Sequence, residues 1–246
     1  MSPDELKVWL NHFEYHAEHP RPIPEGLADQ LDADEWRRIA SSIATFQLGE
    51  RSAGSSLLEA ARGFARKHQV ESVARITELF IREQQRHAAL LRDFMEDHRI
   101  PLKAAHWTEW VFRRVRQLAG FELYLYVLIT AELIGVVYYR ALEAATVCQR
   151  LKVLCRAFVC DELAHIGFES HLLLSLRAGR LAPARALMRL SHRAFLAGTA
   201  CVVWSTHRAV LKRSGYGARS FLEQCLAQQA FYLEPTKPAL ASTSLP

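Results

Sequence analysis

One stretch limits the choice of fold more than any other. It is FELYLYVLITAELIGVVYY, residues 121–139, apolar throughout except for Glu122 at its start and Glu132 near its middle. A helix of this composition either crosses a bilayer or lies enclosed by other helices of a soluble bundle. A carboxylate at bilayer mid-depth is rare, and the basic flanks that would anchor a span are weak here. The enclosed helix is the expected form, with no membrane partner. It places Glu132 inside a core, where a bare charge is hard to tolerate unless something compensates it.

The rest of the chain supports an all-α protein. It has 246 residues, half of them hydrophobic, enough to bury a substantial core. Ala, Leu, Arg and Glu dominate, Gly and Pro are sparse inside long segments, and no alternation marks a strand. Residues 1–30 read as a polar N-terminal segment closed by the breaker cluster PRPIPEG. Asp32 and Glu35 then form a capping-box pattern ahead of Trp36 and Ile39. The first long helix is expected to run to about Lys67 and the second from about Val70 to His98, before Pro101. The third runs from about Thr108 to Ala145, with Gly120 bending or interrupting it. The fourth runs from about Val147 to Ala178, ahead of Gly179. Pro183 suits the first turn of a fifth helix reaching about Arg213. After SGYG a shorter sixth covers 218–233. Long helices with short loops describe an up-and-down four-helix bundle over 31–180. Additional C-terminal helices over 181–233 would pack on it. The tail 234–246, rich in Pro, Ser and Thr, is expected to be disordered.

The net charge is +5. The arginines are scattered over the helices, which reads as solvated faces and not as a nucleic-acid surface. Five cysteines form no CxxC pair. With no signal-peptide pattern at MSPDELKVWLNHF, a reducing, cytoplasmic location is the expectation.

Other charged groups sit in apolar patterns. CDELAHIGFE, 160–169, carries Glu162 and His165 one turn apart on one helix face. FIREQQRHAALL, 80–91, carries Glu83, Gln84, Arg86 and His87. Glu50 stands among the small residues of ASSIATFQLGERSAGSSLL. Glu50 and Gln84 are 34 residues apart, Glu132 and Glu162 are 30 apart. Each interval fits half a helix, a turn and half the next helix, so each pair reaches one level of the bundle. Taken singly, each residue has a plainer reading. Glu162 and His165 would be a hydrogen-bonded pair, and Glu50 would bridge to Arg51. The tyrosines 124, 126, 138 and 139 would be core, and Glu169 a polar edge rather than an extra ligand. Asp161, off the face, would hold a histidine N–H or an arginine. His12, His16 and His19 would lie on an exposed amphipathic segment. The shared order and spacing are what favour a common site.

Over about residues 40–175 this pattern resembles the ferritin-like di-iron carboxylate superfamily, in which two helices each give a Glu and two give Glu-x-x-His. The likeness is strongest in DELAHI. It implies that Glu132, Glu162 and His165 serve one metal half and Glu50 and His87 the other, with one carboxylate bridging. It implies two iron ions, with manganese an alternative. It also implies an O2-activating oxidase or oxygenase working on a small organic substrate. Electrons would come from an external donor, since the chain has no flavin or nicotinamide motif. The second helix departs from the family's EExxH: Gln84 stands three before His87, and Glu83 four before it. Three readings stay open. Glu83 substitutes as ligand, Gln84 binds through its carbonyl oxygen, or that metal is lost. The last leads to a second functional reading, a degenerate scaffold that binds one metal or none and acts as an interaction module. Iron storage is disfavoured by the extra helices and the positive net charge. The fifth and sixth helices would cap a substrate pocket or form a homodimer face.

Overall fold

The computed structural model describes residues 1–51, 54–104 and 120–234. Among them every regular element is a helix: α1 (Pro3–Glu18), α2 (Ala33–Arg51), α3 (Ser55–His68), α4 (Glu71–Asp97), α5 (Phe121–Ala145), α6 (Gln149–Arg177), α7 (Ala182–Arg213) and α8 (Ala218–Leu233). The all-α expectation holds. The expected start of the third helix near Thr108 and the 235–246 tail lie outside the described residues.

Two hairpins make the core. In one, α2 and α3 both pack along α4; in the other, α5 packs along α6, and the hairpins meet through α4 and α6. The apolar stripe of α4 buries Val73, Ile76, Phe80, Leu91 and Phe94, and α5 buries Ile129, Leu133, Val136 and Val137 against the same interior. By length and composition α5 is the one described helix that would suit a bilayer, and 72% of its most apolar window is buried inside the fold. Its early charge, Glu122, is held by Arg177 at 3.1 Å and by Arg180.

Two expectations need correction. The first long helix is not continuous. α2 ends at Arg51 and α3 begins at Ser55, with an extended Gly54 at its N-cap. SAGSS supplies residues that favour caps and turns over helix interiors, so the sequence carries its own break. The N-terminal segment, in turn, is neither formless nor wholly exposed. Ser2 and Glu5 close a capping box on α1, and Leu6 and Phe13 are buried where α1 packs on α4. The seat continues on α6, where the Trp9 indole covers Gly167.

α7 packs on α5 and α2, and α8 closes against α7. α7 departs from helical geometry at His207. There the ring shares a hydrogen bond with Ser42 of α2 at 2.8 Å, and Ser42 shares one with Tyr138 of α5 at 2.7 Å. The bend brings a polar side chain to a partner in the core that a straight helix would miss.

Two glycines test this packing in opposite directions. A Cβ on Gly167 would meet the Trp9 ring at 2.9 Å, whereas one on Gly135 of α5 meets nothing within 4 Å. Gly167→Leu is expected to lift α1 and lower stability by about 1–3 kcal/mol. Gly135→Ala is expected to raise it by about 0.5–1 kcal/mol. Urea unfolding of the two variants against the unaltered chain checks both signs.

Candidate metal centre

The centre forms where α2, α4, α5 and α6 meet. Glu50 and His87 lie about equally far in sequence from the turn at Gln69, and Glu132 and Glu162 about equally far from the corner at Val147. Antiparallel helices therefore bring each pair to one height. Gln84, His87, Glu132, Glu162 and His165 are at most 5% exposed, and Glu50 is partly buried at the end of α2.

Two groups of ligand atoms result. One atom each from Glu50, His87 and Glu162 lie within 4.8 Å of one another, and so do one each from Glu132, Glu162 and His165. Glu162 belongs to both. Its Oε1 is 3.5 Å from His87 Nδ1, and its Oε2 is 3.1 Å from His165 Nδ1. One carboxylate thus offers an oxygen to each half.

Both imidazoles are held the same way round. His87 Nε2 donates to Asp161 at 3.0 Å and His165 Nε2 to Glu83 at 2.9 Å, leaving each Nδ1 turned toward the carboxylates. Outer-nitrogen bonds of this kind fix tautomer and ring orientation in metal-binding histidines. Asp161 is fixed in turn by Arg21 and Arg86, each at 2.8 Å. Aromatic rings close the site to water. Phe13 lies parallel over His165 at 5.7 Å between centroids, Phe80 meets the same ring edge-on at 4.6 Å, and Phe158 packs on His87 at 4.4 Å.

The departing helix is now explicit. Glu83 lies outside both groups of ligand atoms, on the outer nitrogen of His165. Gln84 lies inside. Its amide nitrogen is 3.2 and 3.3 Å from the two oxygens of Glu162, 3.4 Å from Glu132 and 3.5 Å from His165 Nδ1. The amide fills the space between the ligand atoms of the second half.

Burial and mutual charge move these groups in opposite directions. Burial, then the charge of Glu162, pushes Glu50 up to about 7. Burial, then Glu169 and Glu162, holds Glu132 well above the usual carboxylate range. Burial would raise Glu162 as well, but the hydrogen bond from His165 and the His87 imidazole beside it outweigh that and bring it to about 2. Burial would lower His87, yet Asp161 and Glu162 push it up to about 9. His165 is raised too, by Glu162 and Glu83 against its burial. Three polar atoms here lack any hydrogen-bond partner: His87 Nδ1, Glu132 Oε2 and Glu169 Oε2. Buried polar atoms are almost always satisfied. Acid oxygens and imidazole nitrogens converging with unmet valence form a donor set that fits a divalent cation.

Several contacts have no local signal in the sequence. Arg21 reaches Asp161 from the linker after α1. The Tyr139 hydroxyl donates to Glu50 at 2.5 Å, so Glu50 has a tyrosine and not Arg51 as its partner. Glu169, expected at a polar edge, is 2% exposed. Its signal was present, since seven residues from Glu162 is close to two full turns. A separate group, Asp29, His98 and Cys148, lies outside this centre. There Asp29 already accepts from His98 and Arg150, both at 2.7 Å, and from the Cys148 thiol at 3.4 Å, so it is satisfied as an ion-pair corner.

Asp161 is the keystone of the outer bonds. Asp161→Ala leaves two arginines and a buried imidazole without their acceptor, and is expected to cost about 3 kcal/mol or more. Urea unfolding in the presence of a chelator measures that cost with no metal contribution.

Comparison of the chain with protein-family models, with characterised proteins and with solved structures gives no match, so the reading of this centre rests on its own geometry.

Proposed function

We propose that the centre holds two divalent ions, iron or manganese, in a ferritin-like bundle. The chain would then be an O2-activating oxidase or oxygenase acting on a small organic substrate, with electrons from an external donor. The observation that carries this reading is Glu162, whose two oxygens face two imidazoles in two separate groups of ligand atoms. A carboxylate so placed suits a ligand shared by two ions.

In this reading Glu50, His87, Glu132, Glu162 and His165 would hold the two ions. Such a pair, when bound, would supply redox chemistry toward O2. The chain does the rest. Asp161 and Glu83 keep the imidazole Nδ1 atoms free to coordinate. Phe13, Phe80 and Phe158 keep water from the centre, which strengthens every charge interaction inside it. Tyr139 holds the Glu50 carboxylate by its hydroxyl proton. Two cations would also resolve the buried acids, which otherwise keep protons or imidazolium partners.

One observation favours a second reading. The Gln84 amide sits among the ligand atoms of the second half and donates to both its carboxylates, much as a cation would attract them. A chain that uses this amide instead of an ion binds one metal or none, and serves as a scaffold.

Metal content separates the two. Protein purified from iron-supplemented cells is expected to carry about two ions per chain, the number a complete carboxylate pair site holds. Glu162→Ala, which removes the shared ligand, is expected to carry almost none. A folded Glu162→Ala variant with undiminished metal would sink the reading, and metal-free unaltered protein would leave the scaffold.

A further inference from the structure

We propose that Glu169 is a further ligand of the second half of the centre, supplying the carboxylate that Gln84 lacks. The proposal rests on the two-metal reading above and names one more of its ligands.

Charge points to a missing acid. The second half has Glu132, its share of Glu162 and a neutral amide, while a Glu-x-x-His on α4 would have given it another carboxylate. Glu169 is the one further acid buried on the inner face of α6. Seven residues past Glu162 it returns to almost the same angular position, and four past His165 it stands on the same face one turn on. Side chains on a helix lean toward its N-terminus, which sets the Glu169 side chain back toward the turn that carries His165, although its oxygens stand outside the 4.8 Å group of Glu132, Glu162 and His165.

Burial adds a second, independent argument. Glu169 is 2% exposed, and its Oε2 has no hydrogen-bond partner. The Oε2 of Glu132 is orphaned in the same way. α5 packs along α6, so the two buried acids share one interior. Enclosed acids with unmet oxygens are costly there and favourable around a cation. A structural acid in a core finds a donor instead, as Glu35 does in the hydroxyl of Thr146 and the amide of Val147. No such donor serves the Oε2 of Glu169.

The test is a titration of the full chain, stripped of metal, with Co(II) under anaerobic conditions. Visible absorption follows binding, and metal analysis after desalting gives the stoichiometry. The unaltered chain is expected to take up about two ions. Glu169→Gln, close in shape to the protonated acid, is expected to keep its helical circular dichroism and bind the second ion at least about tenfold more weakly. Glu169→Asp keeps the charge but retracts it, and is expected to weaken the same ion. Combining Glu169→Gln with Gln84→Glu is expected to restore about two, since the acid returns from the other helix. Two ions at unchanged affinity in both Glu169 variants overturn the assignment and leave the two-metal reading standing. A single ion in the unaltered chain, rising to two only in Gln84→Glu, also overturns it, because Glu169 then does not make up for the amide. No uptake by the unaltered chain overturns the two-metal reading and the assignment together.

Discussion

The interior is organised around one carboxylate, Glu162, held between two imidazoles with one oxygen toward each. Burying an ionised acid costs several kcal/mol unless its lone pairs are met and its charge is answered. His165 meets one oxygen with a hydrogen bond and both imidazoles answer the charge, with α4 and α6 holding one on each side of the acid. Each imidazole in turn needs an acceptor behind it, and Asp161 and Glu83 supply these. Asp161 then needs cations, and Arg86 and Arg21 bring them from α4 and from the N-terminal linker. The chain of requirements runs from the core to the surface, and each step draws another element into register.

The same requirements explain why the N-terminal helix belongs to the site. Phe13 stacks on His165, and Arg21, just beyond α1, reaches Asp161. Fixing α1 on α4 and α6 therefore covers one imidazole and orients the acceptor of the other. Removing the Trp9 seat at Gly167 would disturb both without touching a carboxylate.

Much of this was legible in the sequence, because it depends on helix period and hairpin length. DELAHI, the buried Glu132 and the 30-residue interval to Glu162 fix the α5–α6 half from local pattern alone. The bounds of α4, α6, α7 and α8 follow from the residues at their ends. What could not be read depends on long-range contacts or on weak local preferences. The break after Arg51 was written in SAGSS but overridden by the apolar period on either side. α1 reads as a polar segment because its polar residues outnumber the two, Leu6 and Phe13, that it buries. Glu169 was set aside because a third acid on α6 had no evident use until the amide of Gln84 was seen among the ligand atoms.

The two halves of the centre are not equivalent, and the difference lies in the backbone. Glu132 sits in the middle of α5, on a backbone held by the helix on both sides. Glu50 lies in the last described turn of α2. The negative end of a helix dipole disfavours a carboxylate there, and burial with the charge of Glu162 adds to this, pushing Glu50 up to about 7. Among the described residues its direct donor is the hydroxyl of Tyr139. An acid held so lightly is the one whose state changes most when charge nearby changes. If Glu169 completes the second half, that half is built from rigid helix interiors and keeps its shape. The Glu50 half, whose carboxylate accepts from the Tyr139 hydroxyl, would then be the one left to adjust.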